Sequence, residues 1–127
     1  YTTLFRSPLV LLFRRLAAPA SVDSLPTSGM QEDHVSMAWG AVRKLRRVVD
    51  NLRRILAIEL VIGARAVDLR APLVPASATG AVITALRKVV QGPGPDRVLS
   101  PELAAAEVFL RSDSPAAALE ALDVHLS

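Results

Sequence analysis

The chain has 127 residues, 51% of them hydrophobic but only 4% aromatic, with a formal charge of +3, and a Leu/Ala/Val-rich chain of this size suits an all-α domain or part of one better than a sheet sandwich. The absence of Cys excludes a disulfide framework and a thiolate metal site, and fits a reducing cytoplasm. The cations are interleaved with acids and accompanied by few aromatics, which argues against nucleic acid as a partner and for a solvated or intersubunit salt-bridge face.

In chain order, Tyr1-Thr2-Thr3-Leu4-Phe5-Arg6-Ser7 comes first. It is what TACACGACGCTCTTCCGATCT, a widely used short-read sequencing adapter, encodes in one frame. Residues 1–7 are therefore expected to be an assembly artefact joined to a gene fragment near Pro8. Residues 9–18 superficially resemble a signal peptide, but Arg14 and Arg15 follow the apolar run Leu9-Val10-Leu11-Leu12-Phe13 instead of preceding it. The stretch reads as the tail of a helix stopped by Pro19. No charge-free apolar run approaches the roughly 20 residues of a membrane span. Residues 21–30, with Ser, Asp, Pro, Thr and Gly clustered together, form a loop.

Residues 31–70 hold no Pro and only Gly40 and Gly63, and are predicted to form one long helix around which the rest is arranged. Val35, Ala38, Val42, Leu45, Val49, Leu52 and Leu56 recur at steps of three and four and make one apolar stripe. Arg43, Lys44, Arg46, Arg47, Asp50, Arg53 and Arg54 occupy the other face, where Asp50 can offset part of the self-repulsion. Over residues 55–64 no polar face remains and Glu59 is the only charge before Arg65. That segment is expected to be buried all round, inside a bundle or a subunit interface. Thr27 or Ser28 is expected to cap the helix, with Glu32 and Asp33 in its first turn and kept ionised by its dipole.

Pro72 and Pro75 end the long helix. Residues 79–90 form a second amphipathic pattern, with Val82, Ile83, Leu86, Val89 and Val90 on one side and Arg87 and Lys88 outside. Gln91-Gly92-Pro93-Gly94-Pro95-Asp96 breaks it. Ser100-Pro101-Glu102 and Ser114-Pro115 then start two short helices, to about Leu110 and Leu122, and residues 123–127 are expected to fray.

A resemblance is carried by Val22-Asp23-Ser24-Leu25-Pro26-Thr27-Ser28, by Gln31-Glu32-Asp33-His34-Val35-Ser36-Met37, and by Ala41-Val42-Arg43-Lys44, Val49-Asp50-Asn51 and Leu56-Ala57-Ile58-Glu59-Leu60. Together these resemble the carboxy-terminal third of the aromatic amino-acid lyase family, on its histidine ammonia-lyase branch, from about residue 9 to about residue 111. The resemblance implies an all-α long-helix bundle, a homotetramer, a cytoplasmic enzyme, and elimination of ammonia from L-histidine to give urocanate. It also implies an electrophilic methylidene-imidazolone made from an internal Ala-Ser-Gly, and no such tripeptide occurs here: Ala20-Ser21 precedes Val22, Ala76-Ser77 precedes Ala78, and Gly29 follows Thr27-Ser28. The family's proposed tyrosine base lies earlier in the fold, and Tyr1 falls in the adapter-like stretch. The chain alone is accordingly expected to be inactive, with no cofactor of its own.

What the resemblance leaves in this chain is specificity. Glu32 would bind substrate, with Gln31 beside it as a polar orienting group; relatives acting on phenylalanine or tyrosine commonly carry Gln where Glu32 stands. A carboxylate accepts a charge-assisted hydrogen bond from an imidazole N–H or an ammonium, which a benzene ring does not offer. Asp33, His34 and Ser36 match the motif and would hold the loop and helix start in place. Two other chemistries fit less well. A metal site of Glu32, Asp33, His34 and His125 fails because adjacent helical residues point apart. A hydrolase built on His34 and Ser36 lacks a nucleophile elbow. The alternatives kept open are a phenylalanine or tyrosine lyase or aminomutase of the same family, and a non-catalytic helical interaction module. Resequencing the source DNA across the join before Pro8 is expected to lose the heptapeptide; its recovery in independent clones would make it part of the protein.

Overall fold

A computed structural model describes residues 2–123; His125 and all but the first residue of the expected frayed terminus lie outside the described residues. The described elements are helices and turns: α1 (Thr2–Leu16), α2 (Ala38–Asp68), α3 (Ser77–Leu86), α4 (Ser100–Arg111) and α5 (Ser114–Glu120), with short 3-10 turns at Ala20–Asp23 and Ser28–Met30. Pairing of extended backbone is limited, among the described residues, to one antiparallel bridge between Pro26 and His34. The chain divides between Leu52 and Arg53 into two compact units.

In the first unit α1 contains Pro8 and ends with Arg14 and Arg15 in its last turn, where cations meet the negative end of the helix dipole. It stops ahead of Pro19, as the sequence predicts. Lys44, expected on a solvated face, instead donates from Nζ to the Ala18 carbonyl at 2.8 Å and satisfies an acceptor just past the helix end.

The central helix differs from expectation at its start. It begins at Ala38, not at residue 31, and spans 31 residues, about 46 Å at 1.5 Å per residue. The backbone of residues 31–35 is already committed elsewhere: the Val35 N–H donates to the Leu25 carbonyl at 3.2 Å and the Glu32 N–H to the Thr27 carbonyl at 3.4 Å. A residue bonded this way has no donor left for a helical partner four residues back. The first helical bond is therefore Ala41 N–H to the Met37 carbonyl, at 3.0 Å. Neither Thr27 nor Ser28 caps α2. The Ser36 hydroxyl lies 3.4 Å from the Ala38 N–H and takes that role. No acid occupies the first turn of α2, so the helix dipole is not what holds Glu32 and Asp33.

The apolar stripe of α2 is also less covered than its pattern implies. Val42, Leu45 and Leu52 are 48%, 60% and 46% exposed. Over residues 55–64 burial is one-sided: Ile55, Ala57, Ile58, Val61 and Ala64 are buried, Leu60 and Ile62 half-buried, and Leu56 exposed.

The core of the second unit is built from Ala57, Val61 and Ala64 on α2, Leu86 and Val90 at the end of α3 and just after it, and Ala106 and Phe109 on α4. The alanines keep helix surfaces flat enough for close approach, and Leu86, Val90 and Phe109 fill the space between them. Helix α5 packs chiefly against α3 and to a lesser degree against α4. The second amphipathic segment forms a helix only to Leu86; Val90 reaches the core through a turn, and Val89 is exposed. Arg87, expected outside, is half-buried and donates to Asp68 at 2.5 Å and to the Gln91 carbonyl at 3.1 Å. It thereby ties the end of α2 to the end of α3. Arg97 makes a fork with Glu102 in the first turn of α4 and also donates to the Gly92 carbonyl at 2.9 Å. Those hydrogen bonds hold the Glu102 carboxyl below the usual glutamate range, against the opposing effect of burial. Arg54 reaches Glu107 on α4 at 3.6 Å, an ion pair exposed on the arginine side and worth little.

Phe109 is 5% exposed in this core, and Phe109→Ala is expected to cost roughly 3–5 kcal/mol of unfolding free energy because a small unit cannot collapse to fill the cavity. Val98→Ala, at a side chain 78% exposed, is expected to change stability by less than about 0.5 kcal/mol. Urea unfolding of the two variants beside the parent chain checks both.

Candidate functional site

The motif Gln31–Met37 sits on a loop whose two arms run from Ser24 to Thr27 and from Glu32 to Val35. The Pro26–His34 bridge and the Val35 N–H bond to Leu25 join the arms, and the Ser24 hydroxyl donates to the Val35 carbonyl at 2.7 Å. Between the arms the chain reverses through three successive left-handed residues, Ser28 (φ 52°), Gly29 (φ 65°) and Met30 (φ 72°). Gly29 adopts this region freely, but at Ser28 and Met30 it costs roughly 1–2 kcal/mol each. The Met30 N–H donates to the Thr27 carbonyl at 3.1 Å and the Gln31 N–H to the Ser28 carbonyl at 3.3 Å, which offsets part of that cost.

The reversal brings Glu32 back over Thr27. The Thr27 hydroxyl donates to Oε2 of Glu32 at 2.7 Å, a short charge-assisted bond. This contact, followed by the Ser28 hydroxyl, holds the Glu32 carboxyl below the usual glutamate range, against a slight opposing effect of burial. Glu32 is therefore an ionised, exposed carboxylate with one oxygen fixed by Thr27. The expectation that it stays ionised agrees with this structure, but its cause is a pair of hydroxyl donors instead of a helix end.

The other motif residues are placed as follows. Gln31 is exposed, and its amide makes no hydrogen bond to Glu32. His34 takes part in the bridge through its backbone and leaves its ring exposed. No hydrogen bond joins His34 to Ser36, whose hydroxyl serves the start of α2. Among the described residues no three of His, Cys, Asp and Glu converge as a metal site would require. A hollow of about 420 Å³ lies along the same unit, lined by Ser21, Ser24, Val35, Ser36, Met37 and Ala41. Val35, Ser36 and Met37 line it, and Gln31 and Glu32 do not. The residue that sequence reasoning misplaced is Thr27, whose hydroxyl faces Glu32 five positions on. Gly29 between them was the available signal, since it permits the reversal that closes this spacing.

The sequence profile described as aromatic amino acid lyase matches residues 6–88. The chain belongs to the aromatic amino acid lyase family. It is similar to the histidine ammonia-lyase of Streptomyces avermitilis, 59% identical over 116 residues, which cover 91% of this chain and 23% of that relative. It is also similar to the histidine ammonia-lyase of Streptomyces coelicolor, 54% identical over 118 residues, with coverage of 92% and 23%. Among solved structures, histidine ammonia-lyase from Trypanosoma cruzi superimposes with a TM-score of 0.84 at 35% identity, over 91% of this chain and 23% of that one. Tyrosine aminomutase from Streptomyces globisporus gives a TM-score of 0.82 at 30% identity. The chain thus spans about a quarter of the length of these relatives, and its all-α architecture is that of the lyase family.

Because the folded state lowers the Glu32 pKa, the Thr27–Glu32 contact favours the closed loop at neutral pH and down through the usual glutamate range. Its contribution is lost as pH falls through the lowered value. A carbon-13 titration of the Glu32 carboxyl is expected to give a midpoint below that of an unstructured glutamate, and Thr27→Val to raise it; identical midpoints in the two chains would show that the hydroxyl does not hold the carboxylate.

Proposed function

We propose that these residues are part of a histidine ammonia-lyase that eliminates ammonia from L-histidine to give urocanate, working as a cytoplasmic homotetramer. The observation that carries this reading is the 59% identity over 116 residues to a relative of that name. A carboxylate at position 32 supports it chemically. The substrate brings an ammonium and an imidazole N–H, both donors, and a carboxylate accepts either in a charge-assisted bond. Gln31, adjacent and exposed, offers an amide that orients the same substrate.

The electrophile of the family does not fit the residues present. No Ala-Ser-Gly occurs in the 127 residues, and of the two Ala-Ser pairs one opens α3 at Ser77 and the other lies in the 3-10 turn at Ser21. No step through a methylidene-imidazolone is therefore assigned to this chain. Its own contribution is to bind and orient: Glu32 holds the cationic or imidazole part of substrate, and the loop from Ser24 to Val35 holds Glu32. By itself the chain would be inactive.

The homotetramer reading is supported by the exposed apolar stripe at Val42, Leu45 and Leu52, since contiguous apolar surface on a soluble protein usually marks an interface. Among the described residues no helix is long and apolar enough to cross a membrane. A second reading within the family, a tyrosine-directed lyase or aminomutase, draws on the tyrosine aminomutase fold match at 30% identity. It predicts no special demand for a charge at position 32. A non-catalytic helical module would make the Glu32 loop only a connection.

Glu32→Gln in the intact enzyme separates these readings, because it keeps the volume and removes the charge. Loss of one hydrogen bond to a charged group is expected to lower kcat/KM for histidine roughly ten- to a hundred-fold, with no parallel fall for phenylalanine. The measurement is kcat/KM on both substrates in parent and variant, with thermal melts as the folding control. Equal loss on both, or a histidine value unchanged within about a factor of two, would remove Glu32 from substrate recognition.

A further inference from the structure

We propose that Thr27 is a positioning residue for Glu32: its hydroxyl fixes one carboxylate oxygen, so that the other is presented to substrate in a single orientation. The inference rests on the substrate-binding reading of Glu32 given above and adds to it the group through which that carboxylate is held.

The geometry is specific to this pair. The Thr27 hydroxyl donates to Oε2 of Glu32 at 2.7 Å, while the Thr27 carbonyl accepts from the Met30 and Glu32 N–H groups. One residue therefore anchors both the backbone and the side chain of Glu32. The loop reaches this arrangement through left-handed Ser28 and Met30, conformations that non-glycine residues adopt only when the surroundings over-determine them. A glutamate side chain left free on an exposed loop samples several rotamers, and substrate binding would then have to order it. A hydroxyl bonded to one oxygen removes that freedom beforehand and leaves the lone pairs of Oε1 for an imidazole N–H or an ammonium.

Thr27 also fixes the charge state. The hydroxyls of Thr27 and Ser28 lower the Glu32 pKa. No charged group contributes, neither Asp33 and His34 on the same arm of the loop nor the cations of α2, of which Lys44 is bonded to the Ala18 carbonyl. The acidic limb of kcat/KM should therefore respond to Thr27 itself.

The test is a double-mutant cycle in the intact enzyme between Thr27→Val and Glu32→Gln, with Thr27→Ser as the conservative variant. Thr27→Val is expected to lower kcat/KM for histidine roughly three- to ten-fold, less than loss of the whole charged contact, and to move the acidic limb to higher pH. Thr27→Ser should restore both. In the double variant the Thr27 change should add nothing to Glu32→Gln, because its effect passes through the carboxylate. A Glu32→Gln loss accompanied by a silent Thr27→Val overturns the positioning role and leaves the binding role of Glu32 standing. Losses that multiply in the double variant overturn it as well, since Thr27 would then act independently. A silent Glu32→Gln removes the underlying reading and this inference with it. Where Thr27→Val depresses the melting temperature, Thr27→Ala, which removes the hydroxyl with less bulk, takes its place in the cycle with the same outcomes.

Discussion

The arrangement of the candidate site depends on where α2 is allowed to start. A helix can take up a residue only if that residue's N–H is free to bond four positions back. The two arms from Ser24 to Val35 use those donors on each other, through Val35 to Leu25 and Glu32 to Thr27. Helix formation is postponed to Ala38, and the motif Gln31–Ser36 stays on a loop. With a helix start at Gln31, consecutive side chains would fan around an axis about 100° apart. On the loop, the reversal at Ser28–Met30 instead folds one of them, Glu32, onto Thr27.

The source of Glu32's charge stabilisation matters for what it can do. A helix N-terminus would also favour an anion, by roughly 0.3–1 kcal/mol at an exposed position, through several partial charges that fall off within one turn. Such a field stabilises charge without fixing the direction in which a carboxylate oxygen points. A hydroxyl at 2.7 Å does both. The sequence suggested the field and the structure has the bond; the second is the better device for reading hydrogen-bond donors on a small substrate.

What was legible in the sequence was what local chemistry decides. Pro19 and Pro72 mark where α1 and α2 cannot continue, and Ser100-Pro101-Glu102 and Ser114-Pro115 mark where α4 and α5 begin. The apolar spacing of residues 55–64 shows where the second unit finds its core, at Ala57, Val61 and Ala64. What could not be read were decisions made across sequence distance. Gln31-Glu32-Asp33 looks like an acid-rich first turn until one knows that Val35 is bonded ten residues back to Leu25. Arg87 looks like a solvent cation until its partner Asp68, 19 residues away, is seen beside it. Left-handed φ at Gly29 is readable from residue type; at Ser28 and Met30, where side chains disfavour it, only closure of the loop imposes it.

The one-sided burial of α2 follows from how little apolar surface the short helices can supply. Helices α3, α4 and α5 hold 10, 12 and 7 residues, and their apolar faces cover the side of α2 that carries Ala57, Val61 and Ala64. Leu45 and Leu52 keep 60% and 46% of their surface. Burying a leucine contributes about 1.5–3 kcal/mol, more than the surface ion pairs of the basic face can add. The same helix therefore has an apolar stripe whose burial would outweigh its charges and too few residues here to cover it. The chain spans 23% of the length of its relatives, and under the homotetramer reading the rest of the enzyme and its neighbouring subunits cover that stripe. Stability of this segment is then a property of the assembly, while the geometry of the Thr27–Glu32 loop, closed by bonds within twelve residues of sequence, is local.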